Sequence, residues 1–552
     1  MDFETNVKKI LYNIGIKNAK LETPKDENHG DFSFACFEIA KREKKNPAEI
    51  AKNIAEKIKP NAWIEKIEAV GPYVNFFMSS EKLCDIIKKE FVKKGFGKGN
   101  KKGKILVEHT STNPNASPHV GRARNALIGD SISRLLKFRG YNVETQYLVN
   151  DVGKQVAMLV LAAKKKDMKV SFEELLDLYV KIYAEMVTNV SIEREVFELL
   201  KNLESGDKKT VELFENVCKI AVDGQKKILS DLGIEYDKFV FESDYVKSRK
   251  LNNIINKLKK KDKLEETDGR LAVNLEDYNL AMKEPYVPLT RADKTSLYLL
   301  RDIAYTLDKI KKTKRNIVVL GEEHKLYFEQ LKSILDILGK KAPEPIFYSF
   351  ILLKSGKMST RRGNVVLLTD FMKQAVEKAN EEIQKRNQNI SKEELDEISK
   401  VIGYGAIKYS ILRIAPNKNV IFDWEESLNF EGKSAPYIQY TYVRSKKILD
   451  KINKNEKVGK LNLQNKYEIL LAKKMYQFPN IIEEVSENYE LQKLSNYLYE
   501  LASMFNNFYE NCPITQEENR ELKTARIFLI KAYKNIIKNG LSILGIDVPE
   551  FM

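Results

Sequence analysis

Between residues 105 and 149 the hydrophobic pattern changes period twice, and that succession leaves few folds open. A short apolar run (Ile105, Leu106, Val107) reads as a buried strand. It leads into a turn-rich stretch, EHTSTNPNASPHVGR, which carries Pro114, Pro118 and Gly121. Apolar positions then recur at helical spacing (Ala123, Leu127, Ile128, Ile132, Leu135, Leu136) as far as Gly140, and residues 143 to 149 read as a second strand. Strand, turn, helix and strand make a βαβ unit, which builds parallel sheets. The turn aims backbone N–H groups and the positive end of a helix at one spot, favouring an anion there. His119 sits in that turn, and Gly121 leaves the backbone open to close approach.

A second segment, KMSTRRG (357 to 363), follows another apolar run, 346 to 353. It places Lys357, Arg361 and Arg362 on a loop between glycines, where cations can close over a polyphosphate. Taken alone, HVGR is an ordinary turn with a surface histidine, and Lys-Met-Ser occurs by chance in many chains. Their order gives them weight, as does the buried strand before each and the room for an insertion between them. Of only four histidines, His29, His109, His119 and His324, two fall inside the first motif.

At 552 residues the chain has material for about three to four domains. A hydrophobic share of 43% with 31% charged residues is that of a soluble globular protein. No run reaches the ~18 apolar residues of a membrane span, and the N-terminus lacks a secretory pattern, so no membrane partner is expected. Cys36, Cys84, Cys218 and Cys512 are scattered, so neither a disulfide framework nor a structural zinc site is expected, and a cytoplasmic location is. The net charge of +16 and pI near 9.2 point to a polyanionic partner. The lysines are spread throughout, so charge is supporting evidence only.

Three regions emerge. Residues 1–95 read as a small α+β domain, with a helix over 47–58 and strands over 64–70 and 73–78 around Gly71-Pro72. The Gly/Lys stretch 95–104 is a linker. Residues 104–369 read as an α/β nucleotide fold interrupted by a mostly helical insertion, about 156–285, with a hairpin at ETDGRLAV (266 to 273). Its second half should hold a helix over 298–310, a strand over 317–320, a helix ending at Gly339 and one strand over 346–353. Residues 370–552 read as a helical bundle, with a capping box at Ser391 and Glu394 and helices starting near Ser434, Lys466, Glu490 and Gln516.

The paired motifs resemble the signatures of class I aminoacyl-tRNA synthetases, and the whole chain resembles the arginyl-tRNA synthetases among them. The likeness is carried by EHTSTNPN with HVGR, NDVGKQ (150 to 155), SLYLLRDIAYTLDK (296 to 309), NFEGKSAPYIQYTYVR (429 to 444) and GLSILGIDVPEFM (540 to 552). HGDFSFACFEIAK and GPYVNFFM resemble the family's N-terminal domain. The resemblance implies a Rossmann-type catalytic domain with an insertion, an N-terminal α+β domain and a C-terminal helical bundle that binds the anticodon. It implies tRNA(Arg), L-arginine and ATP with Mg²⁺ as substrates, and a monomer is expected.

Carried over residue by residue, the resemblance gives His119 and Lys357 the catalytic work on the phosphates. It gives Gly121, Arg122, Met358 and Ser359 to ATP binding beside them. Glu108 and Asn113 would hold the α-ammonium group of arginine, with Tyr298, Asp302 and His324 around its side chain. The substrate is a planar cation with five donors, so its pocket should carry a carboxylate in fork geometry. Tyr298 and Asp302 are four residues apart and share a helix face; taken without the resemblance, Asp302 would pair with Arg301 or Lys309. Tyr73 and Asn75 match residues that contact the tRNA D-loop in some relatives, and Tyr437, Gln439, Tyr440 and Arg444 could meet the anticodon stem-loop.

The implied chemistry needs no strong base, because the arginine carboxylate that attacks the α-phosphorus is already ionised. Positioning and charge stabilisation do the work. Two positions depart from the pattern. Arg122 stands where the second histidine of the first signature is usual, and His324 stands where the family often has Gln. A cysteinyl enzyme would want thiolate ligands for zinc, and the scattered cysteines argue against it, while the fork-geometry argument and the flanking segments favour arginine over lysine. A tRNA-binding relative without catalysis would be expected to lack His119, Lys357 or Asp302, and all three are present.

Overall fold

The computed structural model describes residues 2–24, 26–246, 248–354, 356–357, 366–452 and 461–552. The described chain divides into two compact units. One comprises Met1–Gly97, Arg444–Pro479 and Glu500–Lys538, and the other Lys98–Val443, Asn480–Tyr499 and Asn539–Met552. The helices of residues 370–552 follow the same division and are shared between the two units.

In the first unit, β1 (Leu21–Glu22), β2 (Phe32–Ala35), β3 (Ile64–Val70) and β4 (Tyr73–Met78) form an antiparallel sheet in the order β1-β2-β4-β3. The helix Pro47–Lys57 starts at an Asn46 cap, whose side chain accepts from Ala48 N–H, with proline at its first position. Phe3 packs edge-on against both Trp63 and Tyr476, with ring centroids 5.2 Å away in each case. Arg526 and Glu468 form a buried ion pair at 2.6 Å, and Glu517 binds the same guanidinium at 2.7 Å.

The second unit is built on a five-stranded sheet. The chain lays down β5 (Lys104–Glu108), β6 (Asn142–Val149) and β7 (Lys238–Phe241). It then makes the antiparallel β8 (Leu264–Thr267), β9 (Arg270–Asn274) and β10 (Tyr286–Pro288), and returns with β11 (Arg315–Gly321) and β12 (Glu344–Tyr348). The spatial order is β7-β6-β5-β11-β12, with every neighbouring pair parallel. This is a doubly wound arrangement whose direction of growth reverses between β5 and β11, so a crevice opens at their carboxyl ends. Four helices of the insertion, Lys154–Lys165, Leu175–Thr188, Val190–Ser205 and Lys208–Asp231, share their own apolar core.

Two strand expectations change. β7 has no counterpart in the sequence reading, because its four residues, Lys-Phe-Val-Phe, are too short a run to show a period. The single strand expected over 346–353 is two. β12 ends at Tyr348, and β13 (Ile351–Leu353) joins a separate small sheet with β14 (Gly356–Lys357) and β15 (Val420–Phe422), in the order β14-β13-β15. The break has a physical cause. Arg124, fully buried on the Val120–Phe138 helix, donates to the carbonyls of Ser349 at 2.7 Å, Lys418 at 2.7 Å and Ala415 at 2.9 Å. Those bonds turn the chain out of the main sheet between the two strands.

The Val120–Phe138 helix lies tightly on the sheet. A β-carbon at Gly129 would stand 2.2 Å from Cγ of His109, the residue just past the end of β5. Only glycine lets helix and strand approach so closely. Gly129→Ala should therefore cost about 1–3 kcal/mol by overpacking, visible as a clear fall in melting temperature; an unchanged melting temperature would show that His109 has room to move.

Candidate active site

The crevice is lined first by the irregular segment leaving β5. Thr110 and Ser111, neither a glycine, have φ of 74° and 44°, a left-handed conformation that persists only when its surroundings enforce it. Asn125 does so from the helix: its Oδ1 accepts from Thr110 N–H at 2.5 Å while its Nδ2 donates to the Val319 carbonyl of β11 at 2.9 Å. Gln225 of the insertion donates to the carbonyls of Asn113 and Ala116, both at 2.9 Å, and accepts from Tyr147 OH at 2.8 Å. Gln155, from NDVGKQ, accepts from Asn113 Nδ2 at 2.7 Å and from Asn115 Nδ2 at 3.3 Å. The Oδ1 of Asn113 has no partner among the described residues.

His119 is the N-cap of the Val120–Phe138 helix, in extended conformation and without a side-chain capping bond. Its ring lies over Gly121, where a β-carbon would come within 3.0 Å of Cε1 and Nδ1. Backbone bonds join this turn to residues 366–368, which follow the second signature. Val120 N–H donates to the Val366 carbonyl at 3.1 Å, and Leu368 N–H donates to the Pro118 carbonyl at 2.8 Å. The end of the segment that begins with KMSTRRG is thus stitched to the HVGR turn. Met358 and Ser359 lie outside the described residues, and of Lys357 only the backbone is described, paired with Leu352 of β13.

On the other side of the crevice the helix Tyr298–Lys312 carries Tyr298 and Asp302. The pairings open to Asp302 on sequence grounds do not form. Arg301 is bound by Glu242 at 3.2 Å and by the Ser296 carbonyl at 2.7 Å, and Lys309 donates to Glu108. Asp302 instead accepts from two neutral donors, Tyr327 OH at 2.7 Å and Thr306 Oγ1 at 3.3 Å. Among the described residues it takes part in no ion pair. Tyr298 is 55% exposed, and its ring centroid lies 5.2 Å from that of Tyr327. The ring of His324 lies 6.3 Å from that of Tyr327, edge-on.

These groups share one electrostatic neighbourhood. Arg122 and Glu323 act on both His119 and His324, and Asp302 acts on both Glu108 and His324. Burial pushes the Glu108 carboxyl up, with Lys309 opposing it. Burial also raises Glu242, to about 7, against the pull of Arg301. Glu108, expected by resemblance to hold an ammonium group, thus already holds the ammonium of Lys309; both side chains are buried.

The proposed tRNA residues divide. Tyr73 stacks edge-on with the exposed Phe37 at 5.7 Å. Asn75 is 2% exposed, and its Oδ1 accepts from Ser33 on the neighbouring strand at 2.8 Å. On the helix Ala435–Asp450, Tyr440 is exposed, Tyr437 packs 5.4 Å from Tyr499, and Arg444 lies over the Tyr509 ring at 4.8 Å. Gln439 is fully buried and donates to the Asp547 carbonyl at 2.7 Å. Asn75 and Gln439 therefore hold the protein together where they stand and do not face solvent.

Sequence reasoning passed over Gln155, Gln225, Glu242 and Tyr327. Gln225 did leave a signal, since it is the polar member of an apolar helix stripe that includes Val217, Ala221, Val222 and Ile228. Tyr327 left none, because nothing in the sequence joins it to Asp302.

Burial holds His119 down to about 4, with Arg122 acting in the same direction, and holds His109 down to about 3. Both rings are therefore neutral at pH 7 in the free protein. The unfolded chain takes up these protons near pH 6.5 and the folded chain only well below, so stability should decline as pH falls from 6.5 towards 4. In a histidine NMR titration of the free protein, the His119 ring signals should hold still between pH 8 and 5.5; a midpoint near 6.5 would mean the ring is solvated.

With this geometry in view, comparison with known proteins is informative. The model for the catalytic domain of class I (R) tRNA synthetases matches residues 82–424. The arginyl tRNA synthetase N terminal domain matches 2–78, and the DALR anticodon binding domain matches 438–552. The chain is 38% identical to an arginine–tRNA ligase of Methanocaldococcus jannaschii, covering 100% of both chains. It is also 38% identical to one of Methanococcus maripaludis, covering 97% of this chain and 96% of that one. The fold is that of the Thermus thermophilus arginyl-tRNA synthetase, with a TM-score of 0.83 at 24% identity over 100% of this chain and 99% of the other. The Plasmodium falciparum enzyme gives a TM-score of 0.80 at 21% identity, with 100% of each chain covered. With a family match across the catalytic half and relatives aligned from end to end, the chain belongs to the arginyl-tRNA synthetases of class I.

Proposed function

We propose that this protein is an arginine–tRNA ligase, which activates L-arginine with ATP and transfers it to the 2′-hydroxyl of the terminal adenosine of tRNA(Arg), releasing AMP and pyrophosphate. The observation that carries this reading is Asp302, a carboxylate with no cation partner among the described residues, bonded by Tyr327 and one helical turn from Tyr298. A guanidinium entering there would find a counter-charge and aromatic walls. Asn113, with its Oδ1 free of partners among the described residues, is the better candidate to meet the α-ammonium group. Glu108, neutralised by Lys309, anchors the strand end beneath it.

In the first step the arginine carboxylate attacks the α-phosphorus and pyrophosphate leaves. His119, Gly121 and Arg122 receive the phosphates, and Lys357, Met358 and Ser359 close over them, with Mg²⁺ accompanying the ATP. In the second step the ribose hydroxyl attacks the mixed anhydride and AMP leaves. Tyr73 on the N-terminal sheet and Tyr437, Tyr440 and Arg444 on the bundle are the proposed tRNA contacts. Residues 1–95, 104–369 and 370–552 are the functional divisions. The protein acts in the cytoplasm as a monomer.

ATP–pyrophosphate exchange across all twenty amino acids, with and without tRNA, tests the reading. Exchange should require arginine and should stay near background without tRNA, the usual behaviour of the family. Preference for another amino acid, or no exchange under any condition, would overturn the assignment.

Asp302→Asn keeps size and shape but leaves the substrate cation uncompensated. The KM for arginine should rise roughly 30- to several-thousand-fold, the equivalent of about 2–5 kcal/mol, while the KM for ATP moves little. A near-normal arginine KM in this variant would place the selecting carboxylate elsewhere.

A further inference from the structure

Asp302 sits on the helix Tyr298–Lys312, and the hydroxyl that binds it most closely comes from a different helix, Lys325–Ile337. Tyr327 OH donates to Asp302 Oδ2 at 2.7 Å, and among the described residues the other oxygen has only the longer contact of 3.3 Å from Thr306. A carboxylate can rotate about its last torsion, so one short bond from a fixed ring decides where its second oxygen points. The Tyr327 ring is itself in contact with two others, Tyr298 at 5.2 Å and His324 at 6.3 Å. Having donated its proton, the phenol oxygen keeps acceptor capacity. Burial and the neighbouring Asp302 hold Tyr327 well above the ordinary tyrosine range, so the hydroxyl stays protonated and the bond keeps one direction.

Resting on the arginine-ligase reading, we propose that Tyr327 is a specificity-determining positioning residue: it fixes Asp302 so that Asp302 Oδ1 and Tyr327 Oη together offer two acceptors, from two helices, to a planar guanidinium. An ammonium group is a compact point charge and draws on the charge of Asp302 whichever way the carboxylate is turned. A guanidinium donates in a fixed fork and needs the acceptors aligned. Tyr327 would therefore act on arginine far more than on lysine.

The test is steady-state exchange with tRNA present, on wild type, Tyr327→Phe, Asp302→Asn and the double variant, with melting temperatures alongside. Loss of a hydrogen bond to a charged group predicts that Tyr327→Phe raises the arginine KM roughly ten- to hundredfold, with kcat and the KM for ATP within about twofold. The preference for arginine over lysine should fall by a similar factor. Because Tyr327 works through Asp302, the effect of Tyr327→Phe should shrink to about threefold or less in the Asp302→Asn background. Tyr327→His, which keeps a ring N–H donor, should recover part of the loss and serves as the second variant should the phenylalanine form prove unstable. An arginine KM within twofold of wild type in Tyr327→Phe, full additivity with Asp302→Asn, or a loss confined to kcat would overturn the proposal. Wild type that fails to select arginine would remove the reading beneath it, an outcome seen before any variant is made.

Discussion

The segment between β5 and the Val120–Phe138 helix is irregular and yet largely enclosed, and most of the site depends on how its polar groups are satisfied. Inside a protein an unpaired backbone group costs more than a hydrogen bond returns. Helix and strand ladders do not serve this stretch, so side chains must. Asn125 takes the Thr110 N–H, Gln225 takes the carbonyls of Asn113 and Ala116, and Tyr147 OH meets both the N–H and the carbonyl of Thr112. These clamps come from the signature helix, the insertion and β6. That explains how two successive non-glycine residues can stay in the left-handed region. The insertion is therefore part of the site, since its Lys208–Asp231 helix carries Gln225.

Buried charge is handled in three different ways around the same crevice. Lys309 and Glu108 neutralise each other in full burial, which secures the strand end. Arg301 combines one carboxylate, Glu242, with carbonyls. Arg124 is held by carbonyl oxygens, with its Nε unpartnered among the described residues, and burial lowers it to about 10. Against this background Asp302 differs from its neighbours. It is a carboxylate that the fold supplies with neutral donors and, among the described residues, with no cation, and such a charge beside a crevice is more economically explained by a ligand than by packing.

Arg124 also joins parts of the chain that the sequence keeps far apart. From the helix that follows HVGR it reaches the turn at Ser349, which leads towards KMSTRRG, and the stretch at Ala415 and Lys418 beyond the Lys392–Leu412 helix. Backbone bonds between residues 118–120 and 366–368 likewise tie the HVGR turn to the chain that follows the second signature. The separation of the two signatures in sequence is thus compatible with a shared role.

Much of this was legible beforehand. The strand–turn–helix around HVGR, the strands 64–70 and 73–78, the capping box at Ser391 and the hairpin at 266–273 were readable because local pattern and chemistry agree there. β7 and the break between β12 and β13 were not, because a four-residue strand shows no period and a buried arginine on a distant helix decides where the apolar run bends. Among site residues the same division holds. His119 and Gly121 stood out in the turn and the Tyr298/Asp302 pair through the family resemblance, whereas Lys309 at Glu108, Tyr327 at Asp302 and the burial of Asn75 and Gln439 left no mark in the sequence. The sequence determined which chemistry the chain carries and which local elements present it, since periodicity, turns and caps act over a few residues. Tertiary structure alone decided which carboxylate keeps a resident cation and which stays open, because that depends on side chains brought together across long stretches of chain and on the exclusion of water between them.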